Sequence, residues 1–291
     1  MTHSVQQQLE RLADKRIIII DGAMGTMAQS FKLGESDFRG ERFANHPKEL
    51  TGNLDILCLT KPQVIEQIHR AYLDAGSDII ETNTFSGTRI AQADFGCQEH
   101  AYEINVTAAQ LARRIADEYT DRNPDQRRYV AGSIGPMNVA LSLSPDVNDP
   151  GFRAASYDQV RDAYAEQVRG LLAGGVDILL VETIFDTLNS KAALFAIEDE
   201  LSRHEGPIPA LMISATITDQ SGRTLSGQTI EAFWRSVMHA NPFSVGINCV
   251  LGAEQMRPFF ADLAAVAHVR TSCYPNAGLP NAFGEYDETA D

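Results

Sequence analysis

Polar and acidic residues recur at one kind of place in this sequence, directly after short apolar runs. In chain order these places read Asp21-Gly22-Ala23-Met24-Gly25-Thr26, Glu81-Thr82-Asn83-Thr84-Phe85, Ser133-Ile134-Gly135-Pro136, Glu182-Thr183-Ile184-Phe185-Asp186, Thr216-Ile217-Thr218-Asp219, Asn248-Cys249 and Asn276-Ala277-Gly278. A carboxylate that closes an apolar strand is held against a dry wall, a costly position without a cationic partner. Asp21 and Glu182 both have this setting, and two carboxylates facing one cavity can bind an ammonium group. The plainer alternative for each is an ion pair or a helix N-cap within its loop. Glu81 can equally brace the loop that follows it.

Gly22 and Gly25, with Thr26 beside them, can bring backbone N–H groups close to an anion, as in a nest. Their spacing is not the dinucleotide fingerprint, and no helix is expected directly after them. The alternative is a tight turn with no ligand. Cys249 follows Asn248 and precedes Leu251-Gly252, which puts its sulfur on the same rim as the acids. A lone cysteine is more often a small buried hydrophobe than a ligand. The other thiols fit that plainer role: Cys58 lies between Leu57 and Leu59, Cys97 follows Gly96, and Cys273 sits inside an expected strand. The four form no C-x-x-C pair and are too sparse for a disulfide framework, so reduced thiols are expected.

The elements that must position these residues alternate between short apolar runs and longer amphipathic ones, the pattern of an α/β fold with a parallel sheet. Seven strands are expected near Ile17-Asp21, Asp78-Asn83, Tyr129-Ser133, Asp177-Glu182, Ala210-Thr216, Ser244-Asn248 and Val269-Cys273, each buried on both faces. Between the first two strands, Val64, Ile65, Ile68, Tyr72 and Ala75 share one helical face. Thr60-Lys61-Pro62-Gln63 fits a capping box that starts this helix, and Gly76 can take the left-handed conformation that ends it. The same helix-Gly-strand phrase returns at Leu172 to Leu180. Further helices are expected near His100-Tyr119, Tyr157-Leu172, Leu188-Arg203, Thr229-Ala240 and Ala253-Ala267. Lys32-Asn53 and Leu141-Ser156 are long loops between a strand and the next helix, where barrels build active sites. Residues 1–14 are read as a helical extension or a frayed leader.

At 291 residues the chain is close to the ~250 typical of one TIM-type (β/α)8 barrel, and residues 1–291 are read as a single domain of that kind. After Cys273 only 18 residues remain. A crossover needs at least ~10 to 12 residues before its strand begins, so the eighth strand is expected to be lacking and the chain to be truncated at its C-terminal end. Lys and Arg total 24 against 39 Asp and Glu, a formal net charge of -15. Nucleic acid and anionic membranes are therefore disfavoured as partners. The polar start and the absence of any long apolar stretch lead to the expectation of a cytoplasmic protein.

From Ile17 to Asp291 the chain resembles the homocysteine-binding domain of cobalamin-dependent methionine synthases. The resemblance is carried by Asp21-Gly-Ala-Met-Gly-Thr-Met27, Asp37-Phe-Arg-Gly-Glu-Arg-Phe43, Asp78-Ile-Ile-Glu-Thr-Asn-Thr-Phe85, Ser144-Pro-Asp-Val-Asn-Asp-Pro150, Glu182-Thr-Ile-Phe-Asp-Thr-Leu-Asn189, Ser221-Gly-Arg-Thr-Leu-Ser-Gly227 and Pro275-Asn-Ala-Gly-Leu-Pro-Asn-Ala-Phe-Gly-Glu-Tyr286. It implies a barrel that holds homocysteine on zinc and methylates it from methylcobalamin on a separate module. Homocysteine and cobalamin- and folate-binding modules are the implied partners. Zinc in this family is held by three cysteines. Cys249 matches the first, as metal ligand and catalytic residue, and the adjacent pair after the eighth strand has no match here. Asp21 and Glu182 match the acids that hold the substrate ammonium, and the backbone from Gly22 through Gly25 to Thr26 matches the region that receives its carboxylate. Glu81 and Asn248 are placed with the substrate-binding residues. A thiol of pKa about 8.5 is mostly protonated at neutral pH, and zinc would release that proton. With one ligand of three, this chain alone is expected to be poor in zinc and little active. The alternatives are a methyltransferase using betaine or S-methylmethionine directly, and a non-catalytic amino-acid-binding or docking module.

Overall fold

The computed structural model describes residues 4–218 and 221–278. Residues 1–3 of the N-terminal extension, Asp219 and the motif from Leu279 to Tyr286 lie outside the described residues. The helices are α1 (Val5–Ala13), α2 (Met24–Ser30), α3 (Glu35–Arg39), α4 (Leu57–Thr60), α5 (Pro62–Ala75), α6 (Arg89–Gln92), α7 (Ala101–Arg122), α8 (Tyr157–Gly174), α9 (Thr187–Leu201), α10 (Ile230–Val237) and α11 (Ala253–Val266). The strands are β1 (Ile79–Glu81), β2 (Tyr129–Ile134), β3 (Ile178–Ile184), β4 (Ala210–Ala215), β5 (Ser244–Gly252) and β6 (Arg270–Asn276).

The strands form one sheet in the order β1-β2-β3-β4-β5-β6, and β1/β2, β4/β5 and β5/β6 pair in parallel. Strand order equal to chain order, with a helix before each next strand, is the winding of a TIM-type barrel. A parallel bridge from Ile20 to Ile79 marks the expected first strand. The fold is therefore α/β of the TIM type, with seven of its eight strand positions filled among the described residues.

Two expectations about the strands are corrected. Ile17-Asp21 is reduced to that single bridge, with Ile17 82% and Ile19 48% exposed, and β6 consists of exposed and half-buried residues. Among the described residues both segments stand at the ends of the strand order and pair with one neighbour, and neither is buried along its length as β2 is. The other strands match their expected positions within a few residues. The long segment Lys32-Asn53 carries the short helix α3.

The described residues group into two compact units. The first comprises 4–138, 162–179 and 196–210, and the second 139–161, 180–195, 211–218 and 221–278. In the first, Ser4 and Gln7 form a reciprocal capping box, and α1 buries Leu9 completely while Arg127 Nη1 donates to Gln8 Oε1 at 2.6 Å. The expected capping box at Thr60 does not form. Thr60 is still part of α4, and its hydroxyl donates back to Ile56 O at 3.3 Å, so Lys61 becomes the N-cap and Pro62 opens α5. Gly76 ends α5 at φ 109°, as expected.

The phrase repeated in the sequence has a repeated purpose. Asp78 and Asp177, each two residues beyond a left-handed glycine, are buried at the starts of β1 and β3. Asp78 receives both Arg16 guanidinium nitrogens at 2.6 Å and the Ile19 N–H at 2.9 Å. Asp177 receives Arg113, Arg127 at 2.6 Å and the Val130 N–H at 3.0 Å. Each carboxylate locks its strand to the one before it through charge-assisted bonds.

Candidate functional site

In the first unit, Asp21 follows the Ile20 bridge and is 6% exposed. Its Oδ2 accepts the Glu81 N–H at 2.9 Å, so the side chain braces two neighbouring strand ends. Glu81 closes β1 half-buried. The segment after Asp21 does not form the expected glycine nest. Helix α2 begins at Met24, which puts Gly25 and Thr26 inside its first turn, and neither Gly22 nor Gly25 has a positive φ. The expectation that no helix starts here is thereby corrected. The first turn of a helix still leaves backbone N–H groups without intrahelical acceptors.

Tyr72 was legible only as a helix-face residue. Its hydroxyl donates to Ala23 O at 3.4 Å, and a Cβ on Gly22 would lie 3.2 Å from the Tyr72 hydroxyl oxygen. Burial pushes the phenol pKa up, and the Asp21 and Glu81 carboxylates push it further, so Tyr72 remains a neutral donor beside them.

In the second unit, Glu182, Thr183, Asn248 and Cys249 come together. Glu182 is 4% exposed and accepts from the Tyr274 hydroxyl at 3.2 Å. Cys249 lies within β5 rather than after it, at a break in the β5/β6 register between Asn248 and Gly252. Such irregularities re-aim side chains. Cys249 has φ 60° and Thr183 has φ 56°. For non-glycine residues, and above all for a β-branched one, this conformation costs on the order of 1–3 kcal/mol unless neighbours over-determine it. The side chain of Asn248, fully buried, touches both: Nδ2 donates to Thr183 Oγ1 at 2.7 Å and to Cys249 Sγ at 3.1 Å. Thr183 and Tyr274 were not singled out from the sequence; a strained backbone and a partner one strand away leave no local signal.

Burial raises the Cys249 pKa, and the Glu182 carboxylate raises it further, against hydrogen bonds from Asn248 and Thr183 that lower it. The thiol is thus protonated at neutral pH unless a cation joins it. Burial pushes Cys58 up to about 12 and also raises Cys97, and both are inert packed thiols as expected. Cys273 is corrected: it is exposed, with Sγ 3.2 Å from Met256 Sδ, in a strand that has no fully buried residue. Among the described residues no three His, Cys, Asp or Glu side chains gather as a metal-holding group. The described donors do not make a zinc centre by themselves.

Asp186, 1% exposed, accepts from the Ser142 N–H and hydroxyl, each at 2.7 Å, and from the Leu188 N–H at 2.9 Å. Asn189 Oδ1 accepts the Leu141 N–H at 2.9 Å. The acid that closes the Glu182 motif therefore anchors the long loop after β2. The loop's Ser144-Pro150 motif is exposed, with Val147 at 93%.

Residues 18–291 match the family model described as homocysteine S-methyltransferase. Among solved structures, the metallated form of the homocysteine methyltransferase MmuM from Escherichia coli is 23% identical, with a TM-score of 0.71 over 93% of this chain and 87% of that one. Its oxidized form is 22% identical, with a TM-score of 0.70 over 92% and 85% of the respective chains. At this identity the structures show a shared fold, while the family match spans almost the whole sequence. This chain belongs to the homocysteine S-methyltransferase family.

Proposed function

We propose that residues 1–291 form one domain that binds homocysteine and presents its sulfur to a methyl donor, giving methionine. The observation that carries the reading is the convergence of a buried carboxylate and a thiol in the second unit: Glu182, oriented by Tyr274, and Cys249, tied to Asn248. Glu182 takes the substrate ammonium, with Asp21 as the second acid. The backbone from Gly22 through Gly25 to Thr26 takes the carboxylate, since a helix start favours an anion. Holding both ends of the amino acid fixes the direction of its sulfur, an orientation effect that accounts for much of such a transfer. The homocysteine thiol loses its proton to solvent, and the thiolate forms a bond to the donor's methyl carbon as the bond from that carbon to the donor breaks, the donor keeping the electron pair.

The finer reading is the homocysteine module of a cobalamin-dependent methionine synthase, working with cobalamin- and folate-binding modules. It rests on the Asp37-Phe43 and Ser144-Pro150 motifs. Zinc enters through the family resemblance, and Cys249 is the residue offered as its ligand. No helix among the described residues is long and apolar enough to cross a membrane, and the acidic charge favours neither nucleic acid nor membrane partners.

Calorimetry with homocysteine and methionine, with and without added zinc, tests the reading. Zinc should strengthen homocysteine binding selectively, because a thiol can become a metal-bound thiolate and a thioether cannot. Equal, zinc-independent affinity for both would replace the enzyme with a non-catalytic amino-acid-binding module. Methyl transfer from betaine or S-methylmethionine, and none from methylcobalamin, would move the donor to the direct class.

A further inference from the structure

The carboxamide of Asn248 has two acceptor positions and two donor hydrogens, and all four are in use. Oδ1 accepts the Thr183 N–H at 3.1 Å and the Ser214 hydroxyl at 2.6 Å, while Nδ2 donates to Thr183 Oγ1 and Cys249 Sγ. A backbone N–H can only donate, so Thr183 fixes which way the amide faces. One side chain thus ties β3, β4 and β5 at their functional ends. A substrate atom could reach it only by displacing one of these bonds.

Two of the tied residues, Thr183 and Cys249, have positive φ. Their backbones would relax toward ordinary conformations without the clamp, since nothing intrinsic to threonine or cysteine favours the left-handed region. Glu182 immediately precedes Thr183 and is held at its far end by Tyr274. Pinning Thr183 and Cys249 to one rigid group therefore sets how far the carboxylate stands from the sulfur.

We propose that Asn248 is a positioning residue whose clamp fixes the separation between Glu182 and Cys249, and that this separation selects a thiol two methylenes from the amino-bearing carbon over one a single methylene away. This rests on the proposed function, with the substrate ammonium at Glu182 and its sulfur near Cys249. A missing methylene is worth about 10- to 200-fold in a fitted site. A site whose ends can move apart or together loses that discrimination.

The test is calorimetric affinity for homocysteine and for cysteine, measured on the wild type, Asn248→Ala and Asn248→Asp in the presence of zinc. The wild type should prefer homocysteine by at least about 10-fold, and Asn248→Ala should cut that preference by about 5-fold or more. Asn248→Asp keeps the size and the acceptor for the Thr183 N–H but has no hydrogen for the sulfur or the Thr183 hydroxyl. It should show the same loss and serves if the alanine variant does not fold. A merely structural role would lower thermal stability and weaken both ligands alike, and an unchanged preference in the folded variants overturns the proposal alone. A wild type that binds neither amino acid, or both equally, overturns the proposed function and this inference together, and is seen before any variant is made.

Discussion

Replacing Asp78 with alanine should be among the most damaging single changes outside the functional site. Its side chain is 1% exposed and holds the Arg16 guanidinium through two bonds of 2.6 Å, the Ile19 N–H at 2.9 Å, and the charge of Arg128 at 3.8 Å. Removing one member of a buried pair costs about 3–5 kcal/mol, and leaving a partly buried N–H without an acceptor contributes about 1–3 kcal/mol of that. Arg16 is 40% exposed, so Arg16→Ala lets water replace much of what is lost and should cost roughly half as much or less. For a chain of this size Asp78→Ala should lower Tm on the order of 10 °C. Burial alone would raise the Asp78 pKa, but bonds from Arg16 and Ile19 and the two guanidinium charges together hold it below the usual carboxylate value. A depressed folded-state pKa contributes stability that is present above the unfolded value near 3.9 and lost as pH falls through the folded one. The wild type should therefore lose this contribution below about pH 4, and Asp78→Ala should have none to lose there. Urea and thermal unfolding of both variants at pH 7 and pH 3.5 measure these effects. An Arg16→Ala cost equal to or above that of Asp78→Ala, or an Asp78→Ala cost under about 1 kcal/mol, would refute the reasoning.

Two buried groups should oppose each other in the pH dependence of stability. His69 has no hydrogen-bond partner for either ring nitrogen among the described residues, and burial lowers its pKa to about 4. The unfolded chain takes up that proton first, so this group makes stability fall as pH drops from about 6.5 to about 4. Burial raises Asp55 to about 7 against the Ser86 N–H bond, so its contribution is lost as pH rises from about 4 to about 7. Unfolding free energies between pH 4 and 7 should slope downward with pH in His69→Leu and upward in Asp55→Asn, and parallel curves for the two variants would contradict both assignments. Gly135→Ala should cost about 1–3 kcal/mol, because the new Cβ would meet Phe85 O at 2.4 Å, a backbone atom that cannot swing aside. A wild-type denaturation midpoint in that variant would show that the turn after β2 is looser than described.

The alternation of strands and helices was legible because apolar runs and helical faces such as Val64-Ile65-Ile68 report burial directly. The repeated helix-Gly-strand phrase was legible too, though the buried arginine lock made by the aspartate after each glycine needed partners far away in sequence, Arg16 for Asp78 and Arg127 for Asp177. Capping at Thr60 was misread because local pattern cannot tell whether the preceding turn is already helical, as α4 is. Burial of β6 and of Ile17 and Ile19 was overestimated, since apolar composition does not say whether a strand has neighbours on both sides. At the site, the acids and Cys249 could be read from their place after apolar runs. The left-handed Thr183, the saturated carboxamide of Asn248 and the Tyr274 contact could not, because each depends on geometry between strands.

The most direct measurement of the central claim is formation of labelled methionine from homocysteine by the purified chain, with zinc added and methylcobalamin, betaine and S-methylmethionine supplied in parallel as methyl-labelled donors. Homocysteine-dependent product should appear with at least one donor, slowly because one described thiol holds zinc weakly, rise with zinc in excess, and fall at least about 100-fold in Cys249→Ala, the loss expected when a group at the reacting centre is removed. No labelled methionine with any donor, or as much from Cys249→Ala as from the wild type, would contradict it.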